Sequence, residues 1–445
     1  MAGKEEILKD NIWKLMLNMS LPGIGGMLVI SLNSFVDAMF AGRYIGSDAL
    51  AGISLCIPLL VVNSAVTGFI SSGSSNILSR AIGSKDETVF RNLFAYTLAF
   101  SLVASVVLGV LGYLFSTPLL QLMGATGEIL KEAGTYYRLM MAGCFTSIFG
   151  LGISSLIRAE GRMKYAMSIT TFAVILNIIL NAILVIYLRW GVKGSAIATV
   201  ASMGIFTLLT LRYFVKEDSY VKLNFKKLAY LPNMISDIAN VGLSALVMQL
   251  NNFLRQVFLF KTVTWYNGAI DTAFFSAVFR IFSFSVIPIF GMLQAMQPIV
   301  GINFGAGNLE RSIRALNYFR LATIGMMLIA LIPLQIFSGE ILSLLLPEMN
   351  FSAQDIMRFR LLMCILPIAP IASTAVVFML ATKRGKVTTY LALGRELLLF
   401  CPLMLLLPFL FGASGIYYGL FLENIIYMIV VILVLKIQVK KLLFF

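Results

Sequence analysis

Asp37 is the residue in this sequence best placed to do chemistry. It lies in the first long apolar stretch, about one helical turn from its outer end. An ionised carboxylate at that depth in hydrocarbon costs several kcal/mol unless it is paired or solvated. Asn33 stands four residues earlier, on the same face of a helix. A second amide pair, Asn177 and Asn181, has the same spacing in the fifth apolar stretch. Thr199 follows in Gly194-Ser-Ala-Ile-Ala-Thr199, where the small residues favour close helix packing. The structural alternative for Asp37 is a headgroup-level carboxylate near Arg43 that orients the helix. For the two asparagines it is interhelical hydrogen bonding.

Other chemistries lack their parts. The chain has no histidine, which removes His-based metal sites and Ser-His or Cys-His triads. Cys56, Cys144, Cys364 and Cys401 are scattered through apolar stretches with no CxxC pair, so neither a disulfide framework nor a zinc site is expected. No Gly-x-x-x-x-Gly-Lys-Ser/Thr segment is present to hold a nucleotide. A passive channel would want a repeated Gly-rich filter loop, and an intramembrane acyltransferase would want a histidine or paired carboxylates. The expectation is therefore a protein that is not an enzyme and carries no cofactor.

The elements that position these residues follow from composition. The 445 residues are 59% hydrophobic and 12% charged, with mean hydropathy +0.93. Such a chain cannot cover a water-facing surface, so its solvent is lipid and its spans are helices. Twelve transmembrane helices are expected, at roughly 13–40, 50–77, 92–115, 136–157, 165–188, 194–214, 236–260, 272–299, 315–337, 359–380, 387–410 and 413–435. Lys and Arg concentrate at the two termini and in the even-numbered loops. That is the positive-inside pattern, with both termini cytoplasmic, and it accounts for the net charge of +14 without nucleic acid. Met1–Lys14, which contains Glu5, Glu6 and Asp10, reads as a short interfacial helix leading into an uncleaved first span.

The two halves repeat one plan. Ser31-Leu-Asn-Ser-Phe-Val-Asp-Ala-Met-Phe40 aligns with Gln249-Leu-Asn-Asn-Phe-Leu-Arg-Gln-Val-Phe258, Gly83-Ser-Lys-Asp with Gly305-Ala-Gly-Asn, and Gly191-x-x-Gly194 with Gly412-x-x-Gly415. The offsets lie close to half the chain length. Six spans per half give repeats of the same orientation, related by an axis along the membrane normal. The expected lobes are residues 1–220 and 221–445, joined by a charged cytoplasmic linker at about 216–233 and rocking around a shared cavity.

Pro22, Asn33-x-x-x-Asp37-x-x-x-x-Gly42, Gly46, Ala49-Leu-Ala-Gly52 and Pro58 resemble the opening of the multidrug and toxic compound extrusion (MATE) family. This family lies within the multidrug/oligosaccharidyl-lipid/polysaccharide flippase superfamily. Gln297-Pro-Ile-Val-Gly-Ile-Asn-Phe-Gly-Ala-Gly-Asn308 is similar to the motif that closes the second span of its carboxyl-terminal half, and Gly394-Arg395 with Pro402, Pro408 and Gly412 to its eleventh helix. The resemblance implies a twelve-helix antiporter that exports amphipathic, mostly cationic compounds against H+ or Na+. It makes Asp37 the coupling carboxylate, with Asn33, Asn177, Asn181 and Thr199 around it, and Pro22 the bend of the first helix. Many members carry Asp where this chain has Asn181, so one formal negative charge remains here. That charge suffices for a proton, while Asp37, Asn177, Asn181 and Thr199 supply oxygens for Na+.

The second half differs. Arg255 occupies the repeat position of Asp37. Gln249, Asn252 and Arg255 are expected to border the substrate cavity. Arg255 and Arg280 either bind substrate or form an interhelical ion pair, with Glu423 as a candidate partner. Glu396 follows Arg395 directly, about 100° around the helix, so each needs a different partner. A flippase of lipid-linked saccharides is the alternative reading, with Arg255, Arg280 and Arg395 facing a pyrophosphate. The expected partners are a small-molecule substrate and the lipid bilayer of the cytoplasmic (inner) membrane, with no nucleic acid and a monomeric state.

Overall fold

The computed structural model describes residues 2–216, 219–221, 231–347, 349 and 351–443, and every described element is helical. Most of the expected 216–233 linker lies outside the described residues. The helices are α1 (Ala2–Lys9), α2 (Ile12–Phe40), α3 (Ser47–Ser84), α4 (Glu87–Leu114), α5 (Ser116–Leu122), α6 (Gly127–Ala142), α7 (Cys144–Ala159), α8 (Met163–Asn181), α9 (Gly191–Lys216) and α10 (Pro232–Ser285). They continue with α11 (Ile287–Gly305), α12 (Leu309–Ile336), α13 (Ser338–Leu345), α14 (Ala353–Met363), α15 (Ala369–Ala381), α16 (Gly385–Gly394), α17 (Cys401–Phe411) and α18 (Ala413–Leu443).

Among the described residues nine helices are long and apolar enough to cross a membrane, and α6 with α7, bent by 49°, makes a tenth. The two other expected spans fall on the first arm of α10 and on the broken α14–α15 pair. Although α10 is continuously helical, it doubles back on itself. Thr264 and Thr272 are hydrogen-bonded at 3.5 Å, and the rings of Phe260 and Phe275 lie 5.6 Å apart. Fifteen residues of straight helix would separate those rings by about 22 Å.

The repeat holds down to the caps. Lys85 ends α3 in the left-handed region at φ 59°, and its repeat partner Gly307 does the same after α11 at φ 77°. Asp86 then caps α4 by accepting from the Thr88 and Val89 amides, and Asn308 caps α12 by accepting from Arg311. Gly191 and Gly412 both open a helix at φ 57°. Sequence matches that are individually short thus encode the same chain reversals.

The halves meet at one end of the bundle. The largest apolar cluster joins Ile7, Ile12, Ile82 and Ile157 of the first half to Ile299, Ile302, Phe319, Phe378 and Leu435 of the second. The other clusters stay within one half. Since Ile7 and Leu435 share this cluster, both chain termini lie at the joined end, and the lobes part towards the other. The contacts across the seam are between bare backbones. A Cβ on Gly83 would collide with the Ile302 carbonyl, and one on Gly305 with the Arg80 carbonyl. Each pair is the other's repeat equivalent, so the pseudo-twofold axis runs through this α3–α11 crossing. Further out, Gly23 of α2 meets Gly291 of α11, while Gly73 of α3 meets Ile238 of α10 and Gly242 of α10 meets Phe69 of α3. Asp237 of α10 pairs with Arg80 at 3.8 Å and with Lys383 at 3.6 Å, beside a cavity of about 460 Å³ that also meets Asp86 and Asn233.

Glu160, just past α7, fixes where the linker leaves the first lobe. It accepts hydrogen bonds from the Tyr213 hydroxyl at 2.5 Å, the Ser219 hydroxyl at 2.6 Å and the Tyr220 amide at 3.0 Å. Burial pushes its carboxyl above the usual range, against the pull of these donors.

Gly305→Val should lower the thermal midpoint of the detergent-solubilised protein, with a penalty of at least the roughly 1–3 kcal/mol that overpacking a core costs. Gly25→Val, where an added Cβ meets nothing within 4 Å, should leave it unchanged. A scan of both variants by intrinsic tryptophan fluorescence checks the contrast.

Candidate functional site

The expected polar cluster assembles around Asp37. Asn33 donates to its Oδ2 at 3.1 Å from one turn below on α2, and Asn181 donates to its Oδ1 at 3.0 Å from α8. The second amide hydrogen of Asn181 reaches Asn177 Oδ1 at 3.1 Å. Asn177 in turn donates to Thr199 at 3.4 Å and to Ser202 at 3.3 Å on α9, and Thr199 donates to the Ser195 carbonyl. Three helices are therefore tied by one hydrogen-bonded chain that starts at the carboxylate. Asn177 and Asn181 are buried while Asp37 keeps partial exposure. Ser202 was not singled out by the sequence, because a lone serine in a small-residue run carries no distinguishing signal. Tyr136 of α6 also lies within electrostatic reach of the carboxylate.

Local backbone geometry places these groups. Immediately after Phe40, α2 widens into a π-helical turn over Ala41–Ile45, and α8 does the same over Ala182–Tyr187 directly after Asn181. Such turns shift the register of everything beyond them and recur at functional sites. Here they flank the carboxylate and its nearest interhelical amide. Asp37 meets the asparagines rather than Arg43; no ion pair joins the two among the described residues.

Two oxygens in the cluster are left over. Asn33 Oδ1 and Asn181 Oδ1 are buried with no donor. Each belongs to an amide that donates to Asp37, and a proton-bearing group or a small cation would satisfy it. No cluster of three or more carboxylates, cysteines or histidines exists among the described residues, so a cage for a multivalent metal is not present there.

The matching position of the second half is organised by charge pairing. Arg255 of α10 is pinned between two carboxylates: its Nε donates to both oxygens of Glu396 at 3.2 Å, and its terminal nitrogens reach Glu423 at 2.7 and 3.3 Å. Arg395 donates to Glu423 at 2.6 Å and to Asn424 at 3.0 Å, and Asn424 donates back to Glu423 at 3.0 Å. The neighbours Arg395 and Glu396 do turn to different partners. A third π-helical turn, Arg395–Phe400, begins at this pair. Arg255 stacks on Phe400 at 4.2 Å and Arg395 on Tyr427 at 4.4 Å. Glu423 is fully buried and receives donors from three side chains, whereas Glu396 receives donors from Arg255 alone among the described residues. Gln249 and Asn252 are exposed on α10; Gln249 shares the face of Gly242 and lies against Gly68 of α3, while Asn252 is turned about 80° from that face. The Arg255 guanidinium is committed to the carboxylates. Arg280 is exposed and makes no ion pair among the described residues.

Pro22 lies inside α2, which stays helical around it, so the carbonyl one turn earlier loses its partner.

A helical bundle of two repeated lobes, spanning a membrane many times with a polar cluster set into one lobe, defines a multi-pass membrane transporter. The MatE family model matches residues 22–183 and again 244–405, two stretches that begin 222 residues apart (244 minus 22). The chain belongs to this family, the multidrug and toxic compound extrusion transporters. It is similar to the multidrug export protein MepA of Staphylococcus aureus (strain MSSA476), 24% identical over 423 residues that cover 94% of this chain and 92% of MepA. It is also similar to the probable multidrug resistance protein YoeA of Bacillus subtilis (strain 168), 28% identical over 355 residues covering 76% of this chain and 75% of YoeA. Among solved structures, a MATE transporter in the bent conformation superposes with a TM-score of 0.94 at 25% identity, covering 99% of this chain and 98% of that one. An outward-facing MATE transporter gives a TM-score of 0.91 at 25% identity and 98% coverage of both chains.

Glu423→Gln should destabilise the protein far more than Glu396→Gln. Breaking a buried pair by removing one partner costs about 3–5 kcal/mol, and Glu423 serves two arginines where Glu396 serves one. Thermal unfolding of the two variants in the same detergent, together with membrane yield, measures the difference.

Proposed function

We propose that this transporter exports amphipathic, chiefly cationic drugs or metabolites across the cytoplasmic membrane, in exchange for H+ or Na+. The observation that carries the reading is the partly exposed Asp37 carboxylate at the head of a buried hydrogen-bonded chain, with two unsatisfied amide oxygens beside it. Asn33, Asn177, Asn181 and Thr199 are its coupling partners. A proton is the favoured ion, because one carboxylate suffices to carry it, whereas Na+ would need most of its ligands from neutral oxygens. The substrate and the ion each favour one state of a two-lobe equilibrium, and that difference couples them. The lobes are residues 1–220 and 221–445, joined by the cytoplasmic linker at about 216–233, with both termini cytoplasmic. The chain acts as a monomer without a cofactor. The names of MepA and YoeA support drugs as the substrate class.

The alternative, a flippase for lipid-linked saccharides, asked for three cavity arginines around a pyrophosphate. Arg255 and Arg395 are already matched by Glu396 and Glu423, which favours the exporter.

Expression in cells stripped of their own drug pumps should lower the accumulation of an ethidium-like dye; unchanged accumulation across a broad panel of cations would count against export. In proteoliposomes with separately imposed proton and sodium gradients, one gradient should drive uptake of the dye. Asp37→Asn, which keeps the shape and the folded protein, should reduce the gradient-driven component to background. Transport at the wild-type rate by this variant would remove Asp37 from coupling.

A further inference from the structure

We propose that Arg280 is a substrate-binding residue that recognises an anionic group, of the carboxylate type, on amphipathic substrates; this rests on the transporter reading above and extends it. Arg255, Arg280 and Arg395 lie well inside the spans of the second half. Two of them are neutralised by Glu396 and Glu423. Arg280 is left with an exposed side chain and no ion pair among the described residues, about 12 Å along the helix from Thr272 (eight residues). An intramembrane arginine without a partner faces the bundle interior or a water-filled cavity, since hydrocarbon would not solvate it.

The helix shows which it is. The lobe-packing side of this segment carries Phe274, Phe275 and Val278, all buried. Arg280 projects from the opposite side. Eleven residues on, three helical turns further and on the same face, Gly291 lies against Gly23 of α2; the intervening Val286 keeps near-helical angles at φ −84° and ψ −10°. Gln294, on the same side, donates to Met27 of α2. The face that bears Arg280 is therefore the one that meets the other lobe lower down, and where the lobes part it borders the space between them. Ser276 and Ser283 extend this polar stripe around Arg280.

The first lobe presents its own surface at the same height. Ser34 stands eleven residues beyond Gly23 on α2, as Arg280 stands eleven before Gly291 on an antiparallel helix. Both sit about 16 Å from the Gly23–Gly291 contact, on the faces that the two helices turn towards each other there. Phe284, one turn from Arg280 and on the same face, is 62% exposed. A guanidinium beside an exposed ring fits a carboxylate attached to a flat apolar body. A single arginine matches a monoanionic group better than a pyrophosphate. Asp37 stands three residues beyond Ser34, with its carboxylate held towards α8 by Asn181. An anion itself, it serves the ion rather than the anionic substrate group.

The test uses a matched pair of dyes: rhodamine 110, which carries a free carboxylate, and its methyl ester, rhodamine 123. Binding to the purified full-length protein is read by fluorescence polarisation, separately from transport in proteoliposomes. Arg280→Gln should weaken the carboxylate dye roughly ten- to hundredfold, the range expected for hydrogen bonds between charged groups, and leave the ester unchanged. Arg280→Lys should restore most of the lost affinity. Equal losses for both dyes, no loss for rhodamine 110, or a wild-type protein that does not bind rhodamine 110 would each overturn the assignment. Should the wild type bind both dyes with the expected Arg280 dependence yet move neither under any gradient, the export reading fails and the binding role of Arg280 stands.

Discussion

The crossing of α3 and α11 is the contact on which the rest of the architecture depends. At Gly83 and Gly305 no side chain separates the two helices, and each backbone occupies the space a Cβ of the other would need. Ser79 and Gly301, again repeat equivalents, touch one step further along, and Gln297 donates to Ser79 at 3.0 Å and to Asn76 at 3.2 Å. In lipid there is no hydrophobic drive to push helices together, so close packing of small residues and interhelical hydrogen bonds must do it. Concentrating both at one end leaves the lobes joined there and free to diverge elsewhere. A packed crossing has discrete arrangements rather than a continuum.

Around this axis the halves are alike in fold and opposite in chemistry. At the repeat position where the first half places Asp37, the second places Arg255. The carboxylate is met by neutral amides, and no cation pairs with it among the described residues. The arginine is met by two carboxylates and is left with nothing to exchange. π-helical turns adjoin both clusters, on the first and fifth long helices of one lobe and on α16–α17 of the other. Each breaks the regular rotation of its helix beside the polar group, which is how an otherwise apolar span turns a charged side chain towards a partner instead of lipid.

The duplicated plan was readable in the chain because it is written in cap chemistry. Gly83-Ser-Lys-Asp and Gly305-Ala-Gly-Asn look like weak matches as strings. They are strong ones physically, since each supplies a left-handed residue to end one helix and an Asp or Asn to start the next. The i, i+4 spacing of Asn33 with Asp37 and of Asn177 with Asn181 likewise required those pairs to share helix faces. Hydropathy located the long apolar helices but not their shapes. It gave no sign that α10 would remain helical through its reversal, or that α14 and α15 would break.

Sequence by itself therefore determined the membrane-spanning helical class, the repeat, the family resemblance and the identity of the lone carboxylate in the first span, because these depend on local composition, period and capping. Tertiary structure decided the partners. Residues 144 positions apart meet in the Asp37–Asn181 bond, and 168 apart in the Arg255–Glu423 pair. No local rule sets which faces of distant helices come together. That choice belongs to backbone packing at the glycine crossings, and it settled that Arg255 and Arg395 are neutralised while Arg280 is left exposed, without an ion pair among the described residues.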